Sequence, residues 1–530
     1  MIKSKAKFFE FLTLFVMVVG TVVGSGIYMK NNELLTSTAN PIIAIILWAI
    51  VGMVAVAMVY VFMEISSATK HFGNGTVANW TKLFIGRKTA SFFSLIYLIV
   101  YIPSCQAVFT AGFITYLFQA MNVPLSVTEM FIIYTCVGIS IIVIGLFVNM
   151  YAMNWSNRIQ VFGTVFKFIP LLIALVAGFV IGAMNIEDGV FGNGNVGGAT
   201  GEGDHPWSTS DFDGGLFLRG FGGILFSFDG FIYIANYQKT AKHKEVVPKA
   251  LLIGMIFVAV LYILMAISLF MGSEDGSIQN MLAKLFNGGV MPEDASSTAA
   301  KVATILSNII LMIICVLGIN IFSRIGVVGY DSDAKAKLIY SKNRNMNYAR
   351  AGYTQMIFSV VVFVLFLTVG LLATNDSWKG VATEIPASSE DLSGYIGSVA
   401  GNMTKFIGIM SSTAPCLSFM MFTLLMIAGL RNRKTGKVKV DKIKGFVPIA
   451  IICSIFIAAF VGLGIFGFLV PMNVMYEMGG DPTVSWIKSD GPIFLLLFVL
   501  GIAATTIAHF IQEYKFKKDP FTDGFEGQID

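Results

Sequence analysis

The sequence predicts an all-α membrane protein of about twelve transmembrane helices, and three observations carry that prediction. Of 530 residues, 56% are hydrophobic and 13% charged, against about 25% charged in soluble domains, and the mean hydropathy is +0.77. The apolar residues form long runs without period-two alternation; about twenty such residues cross ~30 Å of hydrocarbon as a helix, and the pattern is wrong for a barrel strand. The basic residues collect in alternate loops between the runs. A soluble enzyme, a nucleic-acid binder and a disordered chain are excluded by the same composition.

In chain order the spans are read at 8–37, 41–65, 89–119, 127–149, 157–184, 215–238, 249–272, 301–326, 351–374, 402–430, 446–471 and 491–514. The basic, then apolar start, MIKSKAKFFEFLTLFVMVVG, lacks an A-x-A-like cleavage site and is read as a retained first helix. With both termini cytoplasmic, 28 of the 36 Lys and Arg fall on the cytoplasmic side and seven, Lys30 among them, on the external side; Lys167 belongs to neither. External loops carry most of the acids, Asp204, Asp211, Asp213, Glu274 and Asp275 among them, and Glu10 and Glu64 are expected at span ends facing water or headgroups. The Gly-rich stretch from Asp188 to Gly203 reads as a flexible external loop. The basic loops and the lack of organelle signals fit a plasma membrane.

Chemistry-bearing motifs are few. Cys105, Cys136, Cys315, Cys416 and Cys453 sit singly in apolar runs and read as buried packing residues. His71, His205, His243 and His509 are scattered, and neither a zinc-protease motif nor a phosphate-binding G-x-x-x-x-G-K-[ST] occurs. No catalytic constellation, metal site or cofactor is expected, and nothing indicates an obligate partner subunit.

Two spans are interrupted. The first contains Gly20-Thr21-Val22-Val23-Gly24-Ser25-Gly26-Ile27-Tyr28, and the sixth contains Gly222-Gly223-Ile224-Leu225-Phe226-Ser227-Phe228-Asp229-Gly230-Phe231. Each Gly costs a helix about 1 kcal/mol relative to Ala. Close helix packing would explain either segment alone. Together they open spans one and six, matching positions of two five-helix halves, which points to a transporter built from an inverted repeat with broken helices at its substrate site. The expected organisation is a first repeat at 8–184 (helices 1–5), a second at 215–430 (helices 6–10), helices 11–12 at 446–514, and a cytoplasmic tail at 515–530.

A break frees N–H groups at the start of one half-helix and C=O groups at the end of the other. The N–H end suits a carboxylate and the C=O end an ammonium. A zwitterionic amino acid carries both on one carbon, so two crossed breaks would hold its invariant part.

Gly24-Ser25-Gly26-Ile27 resembles the G-S-G-I/V motif in the first helix of the amino acid–polyamine–organocation (APC) permeases. Phe226-Ser227-Phe228-Asp229-Gly230-Phe231 resembles that family's sixth-helix break, Arg158-Ile159-Gln160 through Lys167-Phe168-Ile169-Pro170-Leu171 its fifth helix, and Pro248-Lys249-Ala250 the start of its seventh. Two departures stand out. Lys239 lies near a position usually held by Glu, with no Pro before Pro248, and Gly329-Tyr330-Asp331-Ser332-Asp333 does not fit the stretch after helix eight.

The resemblance implies a LeuT-like fold and secondary-active amino-acid transport by alternating access, with a polyamine or other organic amine as the alternative substrate and a non-transporting sensor as a further one. It implies that Ser25 and Gly26 bind the substrate carboxylate, with Ile27 beside them. Val22, Val23 and Gly24, with Phe226, Ser227 and Phe228, would offer carbonyls to the ammonium, with Gly230 in the break and Phe226 either a lid or a packing residue. Lys167, ~14 Å deep by its distance from Arg158, matches the Lys that stands in for a sodium ion in sodium-independent members; proton coupling and a structural pairing remain open. Ser323 is expected to face Lys167. Asp229 would cap the second half-helix, balance a cationic substrate or carry a proton. In helix three, Ser104, Cys105 and Gln106 are expected to shape the side-chain pocket. The expected partners are an amino acid, the lipid bilayer and, in the coupled reading, protons; nucleic acid is excluded.

Overall fold

The computed structural model describes residues 5–38, 40–70, 75–123, 125–184, 223–232, 243–273, 275–292, 297–340, 348–374, 389–469 and 491–518. Among them every regular element is helical. The first interrupted span is two helices, α1 (Lys5–Val22) and α2 (Ser25–Thr38). Then come α3 (Pro41–Ser67), a short α4 (Val77–Phe84), α5 (Arg87–Ile96), α6 (Ile102–Met121), α7 (Val127–Tyr151) and α8 (Met153–Met184). The second half holds α9 (Val247–Gly272), a short α10 (Ile278–Phe286), α11 (Thr298–Lys335), α12 (Tyr348–Thr374), α13 (Ser389–Thr435), α14 (Phe446–Leu469) and α15 (Gly491–Lys518).

Among the described residues ten helical stretches are long and apolar enough to cross a membrane: α3, α5–α6, α7, α8, α9 and α11 to α15. They match ten of the twelve expected spans in order, and the two others are the interrupted ones. Of the sixth span only residues 223–232 are described, and residues 223–228 are helical. The Gly-rich stretch from Asp188 to Gly203, Lys239 and the tail beyond Lys518 lie outside the described residues.

Two short helices escaped the apolar count because only one face of each is apolar. α4 buries Val77, Ala78 and Trp80, and α10 buries Ile278, Met281 and Leu282. The third span is α5 and α6 joined by a π-helical turn at Tyr97–Tyr101. Pro103 follows that turn; a proline has no N–H to donate and crowds the carbonyl four residues earlier, so the helix widens there.

Loops read from charge as lying on one side do meet on one face. Lys7 pairs with Glu245 at 2.7 Å, Lys70 with Asp441 at 2.7 Å and Arg87 with Glu513 at 2.5 Å, and Lys82 Nζ donates to the Ala336 carbonyl at 2.7 Å. The Lys7 ammonium holds the Glu245 carboxyl below its ordinary range. On the opposite face Asn32 Nδ2 donates to the Asp275 carbonyl at 2.8 Å.

Two apolar cores share the interior. One gathers residues of α1, α2, α3, α9, α13 and α14 with the sixth-span segment, around Trp48, Tyr262 and Phe228. The other gathers α6, α7, α12 and the first part of α13 around Tyr134, Phe363 and Phe406. Outward faces stay apolar: Phe162, Val165, Phe166, Ile169 and Leu172 of α8 are all exposed, as suits contact with hydrocarbon.

Three sequence expectations need correction. Glu64 does not face water. It is 3% exposed, pairs with Arg433 at 2.5 Å and accepts the Ile443 N–H at 2.8 Å, because the loop after α13 folds back over the end of α3. Lys30 is not at an external surface; it is buried in α2 and its ammonium donates to the Gly408 carbonyl of α13 at 3.1 Å. Four cysteines are buried, but Cys136 is exposed on α7.

Arg433→Ala would strip Glu64 of its charge partner in a buried setting, where loss of one partner is expected to cost roughly 3 kcal/mol. A melting temperature in detergent indistinguishable from the parent's would contradict this.

Candidate functional site

The site is built on the break in the first span. α1 ends at Val22, so its last carbonyls have no partner within the helix. Three of them find other donors. The Val19 carbonyl accepts the Val23 N–H at 2.9 Å. The Gly20 carbonyl accepts the Lys167 ammonium at 2.5 Å. The Val22 carbonyl accepts the Tyr262 hydroxyl at 2.9 Å. A cation at a helix C-terminus is favoured by the macrodipole, and Lys167, 3% exposed on α8, sits at that end. Tyr28 of α2 returns to the same place, its hydroxyl on the Lys167 carbonyl at 2.8 Å.

The second break lies against the first. The helical turns at 223–228 stop at Asp229-Gly230, where Gly230 has a φ of +98°, a conformation open chiefly to glycine. The Ser227 carbonyl accepts the same Tyr262 hydroxyl at 3.0 Å. Tyr262 of α9 therefore bridges both breaks from a fully buried position, its ring 5.1 Å from Phe228 and 5.3 Å from Trp48. At Gly26 the two breaks touch: an added Cβ would lie 2.6 Å from the Ser227 Cα. Ser227 Oγ, buried beside it, has no hydrogen-bond partner among the described residues.

Among the described residues Asp229 is the only carboxylate in the lining of the adjoining cavity. Its Oδ2 accepts the Tyr101 hydroxyl at 2.5 Å and the Ser418 hydroxyl at 3.3 Å, and its Oδ1 the Gly230 N–H at 2.8 Å. It thus caps its own turn, as Asp does well, while reaching α13 and the π turn of the third span. Among the described residues neither Asp229 nor Lys167 belongs to an ion pair.

A cavity of about 580 Å³, its mouth included, is lined by both breaks: Thr21, Val22, Gly24 and Gly26 on one side, Phe226, Asp229 and Gly230 on the other. Lys167 reaches it from α8, Phe109 from α6 and Phe322 from α11. Phe226 faces into it, 6.2 Å from the Phe109 ring, whereas Phe228, two residues on, turns into the core. Val23 and Ile27 are fully buried and do not line it. The Ser25 side chain lies outside the described residues, though its backbone opens α2.

Two expected residues are placed elsewhere. Gln106 is not part of the cavity wall: its Nε2 donates to Ser323 Oγ at 2.9 Å and its Oε1 accepts the Ser359 hydroxyl. Ser323 accordingly faces Gln106 and not Lys167. This polar group ties α6 to α11 and α12, and Ser104 and Cys105 beside it are buried without lining the cavity. The residue that sequence reasoning missed is Tyr262. It lies in an apolar run where one hydroxyl carries no signal. Among the described residues no cluster of His, Cys, Asp or Glu could hold a metal ion.

Gly26→Ala is expected to destabilise by about 1–3 kcal/mol through overpacking against Ser227, while Gly24→Ala, whose Cβ would meet Val22 O at 3.8 Å, should leave the melting temperature near the parent's. Tyr262→Phe would leave two buried carbonyls short of a donor, at about 1–3 kcal/mol. Thermal melting of purified variants orders the three, and an unaffected Gly26→Ala would contradict the described contact.

Residues 9–487 match the family model described as amino acid permease. An uncharacterized protein of Mycoplasma pneumoniae is 23% identical over 90% of this chain and 86% of its own. The human cystine/glutamate transporter is 22% identical, with 51% of each chain covered, and the human b(0,+)-type amino acid transporter 1 is 25% identical over 48% of this chain and 49% of its own. This chain therefore spans about half the length of those two transporters. The crystal structure of the Eremococcus coleocola manganese transporter superposes with a TM-score of 0.53 at 11% identity, over 98% of this chain and 97% of that one, a likeness of fold alone. A family match across nearly the whole chain, on an all-helical fold with ten candidate membrane spans among the described residues, makes this protein a member of the amino acid permease family.

Proposed function

We propose that the protein is a secondary-active amino-acid transporter that works by alternating access and needs no sodium. The observation that carries this reading is the convergence of two helix breaks on one cavity, with a lysine ammonium held at the carbonyl end of α1. The α2 N-terminus, from Ser25 through Gly26 and Ile27, would receive the substrate carboxylate, with the unpartnered Ser227 hydroxyl next to it. The ammonium would face the carbonyl ends of the breaks. Since Tyr262 already engages the Val22 and Ser227 carbonyls, the substrate nitrogen would share them with that hydroxyl or use others in the same turns.

Lys167 takes the role of a fixed cation. Its charge sits where a bound metal ion would otherwise neutralise the α1 carbonyl end, and a covalently tethered ammonium makes external sodium unnecessary. Phe226 and Phe109 would close over the bound molecule. Asp229, facing the cavity, gives a second reading some support: a carboxylate there would balance a cationic side chain or an organic amine, or carry a coupled proton. The inverted repeat with halves at 8–184 and 215–430, the plasma membrane as location and the cytoplasmic placement of the face bearing Lys7, Lys70 and Arg87 belong to the same proposal.

Purified protein in proteoliposomes should take up amino acids saturably and stereoselectively, and a competition series of amino acids and amines separates the two substrate readings. Replacing sodium by choline should leave the rate unchanged. Lys167→Ala should lower initial uptake by about tenfold or more, a transition-state cost near 1.4 kcal/mol, with smaller loss of folded yield. No response to any amino acid or amine would end the reading, and a sodium requirement would end the role given to Lys167.

A further inference from the structure

A second cavity, of about 530 Å³ with its mouth, lies toward the face that carries both described chain ends. It shares no residue with the first, yet three elements wall both. On α11 the first cavity takes Ile314, Leu317, Gly318, Ile321 and Phe322, and the second takes Ile325, Gly326, Gly329, Tyr330 and Asp333. These positions alternate by three and one, four residues per turn against 3.6, so the lining forms a continuous stripe that winds around the helix from one cavity to the other. From Ile314 to Asp333 the stripe is about 28 Å long, close to the ~30 Å thickness of the hydrocarbon core. The third span continues from Phe109 in the first cavity to Ile102 and Leu98 in the second, and the sixth-span segment from Asp229 and Gly230 to Ile232.

Between the cavities stands a thin partition. The Tyr101 hydroxyl bonds Asp229, and the Tyr101 ring lies 6.1 Å from the Phe322 ring. Tyr101 belongs to the π turn of the third span, a local widening that is often found at functional sites.

The second cavity repeats the chemistry of the first. The first residues of α4, Val77 and Ala78, line it, and N–H groups of a helix's first turn lack intrahelical acceptors and attract a carboxylate. Gln355 is fully buried, lines the cavity and has an Oε1 with no hydrogen-bond partner among the described residues, and the Asp333 carboxyl lines the same wall. A donor end for a carboxylate and buried acceptors for an ammonium again flank one space.

We propose that this cavity is a second station for the same zwitterionic amino acid, reached when the Tyr101–Asp229 partition opens; it rests on the amino-acid reading above. Gly329 leaves the groove clear at the station, while Gly326 lets Gln355 and Ile102 pack close against the helix.

Gly329 provides the test. A Cβ there would meet nothing within 4 Å, so larger side chains can enter the cavity without disturbing the helix, and leaving Gly favours the helix in any case. In proteoliposomes, Gly329→Leu and Gly329→Phe should lower amino-acid turnover by about tenfold or more, increasingly with volume, while purified variants still bind labelled amino acid. If either variant fails to fold, Gly329→Cys serves instead. A methanethiosulfonate reagent should block its transport but not the parent's, and excess amino acid should slow the reaction. Saturable uptake by the unaltered protein establishes the reading on which the station rests, and its absence removes both. With that uptake present, undiminished transport by Gly329→Leu, or a Cys variant neither blocked nor protected, overturns the station alone.

Discussion

A helix that stops inside a membrane leaves carbonyl groups with no water to bond them, and the core of this protein is arranged around meeting that demand. α1 ends at Val22 with its carbonyls exposed to a low-dielectric interior. Two long side chains from other helices come to them, Lys167 from α8 and Tyr262 from α9. Each ties a neighbour to the break. Tyr262 also reaches the Ser227 carbonyl, so one hydroxyl holds the two interrupted spans at a fixed separation. The close contact of Gly26 with Ser227 depends on that approach, and the cavity beside it is the space the two breaks leave open.

The same requirement explains why the cavity is polar at so few points. Most of its described wall is aromatic or aliphatic, and among the described residues charge enters only as Lys167 and Asp229. Both are held by hydrogen bonds to structure at the breaks, the ammonium by a backbone carbonyl, the carboxylate by Tyr101, Ser418 and the Gly230 N–H. Neither is neutralised by an ion-pair partner among the described residues, so the field of each remains available to a molecule entering the cavity. Two buried polar clusters elsewhere are closed on themselves. Asn149, Ser156 and Asn320 bond one another where α7, α8 and α11 meet, and Gln106, Ser323 and Ser359 do so between α6, α11 and α12. Such satisfied networks rigidify the packing, and they set apart the groups at the breaks that face open space.

Much of this was legible in the chain itself. The span order followed from apolar length, and the grouping of loops on two faces followed from the positions of Lys and Arg. The breaks followed from glycine density, since backbone freedom is a local property. Lys167 stood out because its depth can be counted along one helix. Gln106 and Ser323 were misplaced for a different reason. A buried amide has several donors and acceptors to satisfy, and which neighbour satisfies them depends on helix rotation, which hydropathy does not encode in a helix apolar on all sides. Glu64 was misread because a span end faces water only if no loop returns over it, and Arg433 arrives from 369 positions away in sequence.

The sequence by itself determined that the chain lives in a bilayer, the order of its long apolar spans, and where two of its helices cannot continue. Those outcomes depend on transfer free energies and backbone propensities that act residue by residue. Only the tertiary structure decided that Tyr262 spans both breaks, that Asp229 bonds Tyr101, and that α11 walls two cavities in succession along its length. These are matters of which side chains converge in space, and convergence is set by packing between helices distant in sequence.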